Sequence, residues 1–118
     1  MGFDCEWPCD KRSGEQGKLA LIQVACSKNI WLLQVSSLSE LPSALVSFLE
    51  DIEIKKAGRA VNGDCKKIER DFPGIRCQGM LELASFCKER DAIGDARMGL
   101  EAICKKLLYR LLPKDEDI

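Results

Sequence analysis

The sequence predicts an α/β domain built on a mixed sheet of five strands. An antiparallel meander of three strands comes first, then alternating helices and parallel strands, with helices flanking the sheet. Three observations carry this. Apolar runs parted by short polar links fill the chain as far as Val35. From Leu41 the apolar period becomes that of a helix. The later elements then alternate in type, giving strand-strand-strand-helix-strand-helix-strand-helix-helix.

Met1–Pro8 reads as the first strand, closed by its proline. Polar Cys9–Gly17 holds Gly14 and Gly17 and reads as a hairpin loop. Lys18–Cys26 is too continuously apolar for a half-exposed strand and reads as a central one. Ser27–Asn29 makes a turn into a third strand, Ile30–Val35. Leu41, Ala44, Leu45, Phe48 and Leu49 mark a helix, with Ser39 as its expected cap and Pro42 in its first turn. Lys55–Val61 reads as the fourth strand. Asn62-Gly63 is expected to turn into a helix carrying Cys65, Ile68 and Phe72 on one face, stopped by Pro73-Gly74. Ile75–Cys77 is expected as a brief fifth strand. A helix follows through Met80, Leu83, Ala84 and Cys87, broken at Gly94–Arg97. The last helix carries Leu100, Ile103, Cys104, Leu107 and Leu108, before Pro113 and an acidic tail.

The chain has 118 residues, the size of one domain. Its 46% apolar and 31% charged residues are those of a globular protein. A net charge of -1 excludes binding to nucleic acid through a strongly basic surface alone. No apolar run approaches the roughly 20 residues of a membrane span, and the opening lacks the regions of a signal peptide. Seven cysteines at irregular spacing, several on apolar positions, fit free thiols in a reducing compartment. The expectation is therefore an intracellular protein, nuclear or cytoplasmic, with no membrane partner. The absence of a CxxC pair and of histidine argues against a zinc site.

Asp4 and Glu6 stand two residues apart on the first strand, so their carboxylates share a face. They suit a hard divalent cation, or simply form the solvated face of an edge strand. Asp64 begins a helix, where the helix dipole alone would favour an acid. In a ribonuclease-H-like order the first strand is central and the fourth lies beside it. Asp64 would then open at the same sheet end as Asp4 and Glu6.

Taken together, Gly2–Pro8 (GFDCEWP), Gly17–Val24 (GKLALIQV) and Lys55–Gly58 followed by Gly63-Asp64 resemble a DEDD-type 3′–5′ exonuclease domain. The likeness is to the branch shared by ribonuclease D and the Werner-type exonucleases. Leu33–Leu38 (LQVSSL) and Arg70–Phe72 point to the Werner type, and the likeness covers nearly all of residues 1–118. The resemblance implies a two-metal phosphodiesterase acting on a DNA or RNA 3′ end, with Mg²⁺ or Mn²⁺ ions about 3.5–4 Å apart. It implies that Asp4 bridges the ions while Glu6 and Asp64 hold one each. The backbone of Cys5–Trp7 would lie near the terminal nucleotide, and Trp7 would stack there or belong to the core.

Departures from the family pattern set further expectations. The family's Tyr-x-x-x-Asp motif, with the fourth ligand and a water-orienting tyrosine, is not found. Tyr109 is the only tyrosine and is followed four residues later by Pro113, while Asp115 and Asp117 lie in the tail. Gly79 stands where relatives place an aspartate after the fifth strand. The expectation is a domain lacking its C-terminal motif segment, trimmed at its boundaries, with an incomplete metal site and impaired activity. A catalytically silent nucleic-acid, protein-interaction or self-association domain is the competing reading. A homo-oligomer is expected from apolar surface and an open edge at Ile30–Val35.

Overall fold

The computed structural model describes residues 1–108. Two compact units divide the chain, Met1–Leu81 and a second beginning at Glu82. The strands are β1 (Gly2–Glu6), β2 (Leu21–Ala25), β3 (Ile30–Gln34), β4 (Lys56–Gly58) and β5 (Met80–Glu82). The helices are α1 (Ser43–Glu50), α2 (Val61–Asp71), α3 (Leu83–Glu89) and α4 (Leu100–Leu108).

The sheet order is β3-β2-β1-β4-β5, a ribonuclease-H-like mixed sheet with β1 in the middle. β1 pairs antiparallel with β2, setting Asp4 opposite Gln23, and parallel with β4, setting Gly2 opposite Ala57. β2 pairs antiparallel with β3, as a meander should. Alternation on β1 buries Phe3 and Cys5 in a core with Ile22, Val24, Val61 and Ile68. Each such aliphatic side chain contributes about 1.5–3 kcal/mol by leaving water. In the second unit, Ala84, Cys87, Ile93 and Ile103 form a smaller core.

Several boundaries differ from the expected ones, each for an identifiable reason. β2 begins at Leu21 rather than Lys18, because the Leu19 amide donates to Asp71 Oδ2 at 2.7 Å instead of to a ladder. α1 is preceded by Pro42 as its N-cap, with no capping side chain, so Ser39 does not cap it. β4 stops at Gly58 and α2 starts at Val61, which puts Asn62 and Gly63 inside the helix; the turn is made by Arg59 and Ala60.

The fifth strand is Met80–Glu82, not Ile75–Cys77. The Arg76 amide donates to Glu50 (3.0 Å), the Cys77 amide to Glu69 (3.0 Å) and the Gln78 amide to the Leu49 carbonyl (2.9 Å), so none is left for a ladder. Gly79, at φ +74°, then redirects the chain, and the predicted helix through Met80 starts instead at Leu83. Gly79 thus precedes β5 rather than following it. The acid at the end of that strand is Glu82, whose side chain accepts from the Ala84 amide. Tyr109, Pro113, Asp115 and Asp117 lie outside the described residues. Among the described residues no helix is long and apolar enough to cross a membrane.

Asp71 ties α2 to the start of β2. It accepts from Leu19 and pairs at 2.9 Å with buried Lys67, which also donates to the Gly17 carbonyl. Burial pushes the Asp71 carboxyl up, but the Leu19 amide, the Lys67 bond and charge and the Arg70 charge together hold it below the usual range. A depressed carboxyl stabilises the fold above the unfolded value of about 3.9, and that contribution fades as pH falls through the folded value. Asp71→Asn should therefore lower stability by about 3 kcal/mol near neutrality. Urea titrations across pH should show the gap to the parent closing below about pH 4; a gap independent of pH would refute this role.

Candidate active site

β1 and β4 run parallel, so Glu6 and the turn after Gly58 open at the same end of the sheet. Gly58 permits that closeness: a Cβ there would sit 2.3 Å from the Phe3 carbonyl oxygen. Ala60 then takes a left-handed conformation (φ +62°) that launches α2 at once. Asp64 falls in the first turn of α2, where the dipole favours its charge, and α2 packs against β1. Asp64 is only 6% exposed; its Oδ2 is sequestered, while the residue as a whole is engaged through other interactions.

Asp4 and Glu6 project from the face of β1 opposite Phe3 and Cys5. Partial burial, a side-chain hydrogen bond with Asp4 and the Asp4 charge together hold the Glu6 carboxyl above the usual range. Cys5, buried between them in sequence, reports on the surrounding field. Burial pushes its thiol up, and Asp64, Asp4, Cys77 and Glu6 push it further. All three expected carboxylates therefore act on one thiol.

Asp4, Glu6 and Asp64 do not form a group with every donor atom within 4.8 Å of the others. Among the described residues that tighter grouping is Cys65, Glu69 and Cys77, which no local sequence spacing announces. Cys5 is buried in the core, so only its backbone faces outward chemistry. Trp7 is half-buried against the same core, and the Lys67 ammonium lies 5.6 Å from its ring centroid. Lys67 was not anticipated: a charged residue on a helix reads as solvated until the carbonyl and carboxylate that bury it are visible.

A mixed sheet with a central acid-bearing strand and a parallel neighbour leading into an acidic helix start defines a nuclease-type α/β domain. The chain belongs to the 3′–5′ exonuclease family, whose model matches residues 1–118, and its fold and motifs are of the DEDD type. It is 34% identical over 119 residues to the mouse (Mus musculus) bifunctional 3′-5′ exonuclease/ATP-dependent helicase WRN, covering all of this chain and 8% of that protein. A Drosophila willistoni 3′-5′ exonuclease is 30% identical over 123 residues, with 34% of its length covered. The EXD2 exonuclease domain superposes with a TM-score of 0.65 at 25% identity, covering 95% of this chain and 57% of that one. The same domain soaked in Mn gives a TM-score of 0.65 at 26% identity. The chain thus spans little more than half of that structure, 34% of the Drosophila relative and 8% of the mouse one.

Proposed function

We propose that residues 1–118 form the exonuclease core of a nucleic-acid phosphodiesterase acting at 3′ ends, with Asp4, Glu6 and Asp64 holding Mg²⁺ or Mn²⁺. The observation that supports this is the parallel pairing of β1 with β4, which opens Glu6 and the turn leading to Asp64 at the same end of the sheet. The donor set fits, because it is all carboxylate oxygen, with Asp4 and Glu6 close enough for a side-chain hydrogen bond. Bound divalent ions would supply charge stabilisation at the scissile phosphate and a nucleophilic water. Asp4 and Glu6 would hold the ions from the β1 side. Asp64 would do so from α2. The backbone of Cys5–Trp7 would seat the terminal nucleotide, with the Trp7 ring beside it. The substrate class is supported by the family and by relatives that carry 3′-5′ exonuclease in their names.

The sequence carries no Tyr-x-x-x-Asp pair. We propose that the 118-residue chain alone therefore binds ions weakly and acts slowly, since each missing positioning group costs on the order of 10²–10³ in rate. Calorimetry should show Mn²⁺ binding to the chain and its loss in Asp4→Ala. With a labelled single strand or recessed duplex, residual 3′–5′ degradation should fall by about 10²–10³ in the same variant. Identical heats for the two proteins would refute the carboxylate site. Ordinary enzyme rates from the 118-residue chain would refute only the impairment.

We also propose self-association through β3. It is a sheet edge, with Ile30 and Leu32 exposed, beside an apolar groove of about 620 Å³ shared with α1. Light scattering should show a dimer or larger species at tens of micromolar, about where weak dimers form, and a clean monomer would rule it out.

A further inference from the structure

We propose that Cys65, Glu69 and Cys77 form a second cation site, selective for a thiophilic divalent ion of the Zn²⁺ class. Their donor atoms all lie within 4.8 Å of one another, the span of a shared coordination shell. Cys65 and Glu69 are four residues apart on α2 and so face the same way, as ligand pairs on metal-binding helices do. Cys77 arrives from the non-helical segment before β5.

That segment is pinned from three sides. The Cys77 amide donates to Glu69 Oε2 at 3.0 Å, the Gln78 amide donates to Leu49, and the Gln78 carbonyl accepts from Lys56 at 2.8 Å. The Cys65 thiol lies 3.7 Å from the same Glu69 Oε2. The ligands are therefore brought together before any ion arrives, which lowers the ordering cost of binding. All three are partly accessible, so an ion has a way in and a fourth position for water.

The donor chemistry separates this site from Asp4, Glu6 and Asp64. Two sulfurs favour Zn²⁺ over Mg²⁺, whereas an all-oxygen set favours the reverse. On binding, each thiol gives its proton to solvent and no electron moves. The Lys56 ammonium nearby is taken up by the carbonyls of Leu49, Asp51 and Gln78, and so does not claim the thiols.

Co²⁺ serves as the spectroscopic probe. Added to the reduced chain, it should give one equivalent of thiolate-to-cobalt charge-transfer absorption with tetrahedral visible bands, abolished by Zn²⁺. Cys65→Ser and Cys77→Ser should each lose that absorption and weaken binding by at least about 100-fold, above the 10–100-fold range for an outer partner. Asp4→Ala should keep it. If the serine variants unfold by circular dichroism, alkylation of the parent decides instead. Zn²⁺ should then protect Cys65 and Cys77 but not the exposed Cys9 and Cys26. The proposal is overturned by absence of the thiolate band, by its survival in Cys77→Ser, by its loss in Asp4→Ala, or by alkylation that ignores Zn²⁺. None of these outcomes touches the carboxylate site, whose ions give no thiolate band.

Discussion

Gly58→Ala should destabilise the domain by about 3 kcal/mol or more, near the top of the range for inserting a single methyl. The added Cβ would lie 2.3 Å from the Phe3 carbonyl oxygen and 3.5 Å from its carbonyl carbon. Both are backbone atoms of the central strand, which β2 holds through five aligned residue pairs. No rotamer change relieves such a clash; β4 must move away from β1. The loss is a large share of the roughly 5–15 kcal/mol that holds a domain together. In urea the midpoint should fall by roughly 2 M for an m-value of about 1.5 kcal/mol/M. Function should suffer too, because β4 leads directly into the turn that positions Asp64. Mn²⁺ heats should shrink even where the variant is still folded. A midpoint within a few tenths molar of the parent would show that the strands separate without cost.

Lys56→Met should be comparably severe, at about 3–5 kcal/mol. Lys56 is fully buried, yet its ammonium has three acceptors: Leu49 (3.3 Å), Asp51 (2.7 Å) and Gln78 (2.8 Å). It also lies 5.1 Å from the centroid of the Phe48 ring. One cation thus joins the end of α1 and the loop after it to the segment before β5. Methionine would fill the volume and supply no donor. Each carbonyl left without its partner costs on the order of 1–3 kcal/mol unless water replaces the ammonium. Thermal or urea unfolding checks the magnitude, and hydrogen exchange checks the place. Protection should fall first at Gln78, whose amide bonds to Leu49. A change below about 0.5 kcal/mol, the scale of an ordinary surface substitution, would mean that water satisfies all three carbonyls.

Some of this architecture is legible from local chemistry alone. Apolar runs parted by polar links mark the meander, and the switch to helical period at Leu41 marks α1. Asp4 and Glu6 must share a face wherever that strand lies, because strand side chains alternate. The family likeness rests on such local motifs and survives small errors at element boundaries. Asn62-Gly63 reads as a turn because those residues are good turn formers. The helix nonetheless starts at Val61, since the close contact of Gly58 with Phe3 and the left-handed Ala60 turn the chain earlier.

The fifth strand shows the limit most clearly. Ile75–Cys77 has strand composition, but whether a strand forms depends on where its amides go. Glu50 and Glu69 take two of them, from 26 and 8 residues away in the chain. The burial of Lys56 and Lys67 and the meeting of Cys65 with Cys77 are likewise decided by distant partners. Most element types and each motif behind the family likeness are readable in the chain alone, because each depends on residues within one turn or one strand of each other. Which amide or ammonium meets which acceptor is settled in the folded chain, because pairings such as Arg76 with Glu50, Lys67 with Gly17 and Lys56 with Gln78 join segments that no local periodicity links.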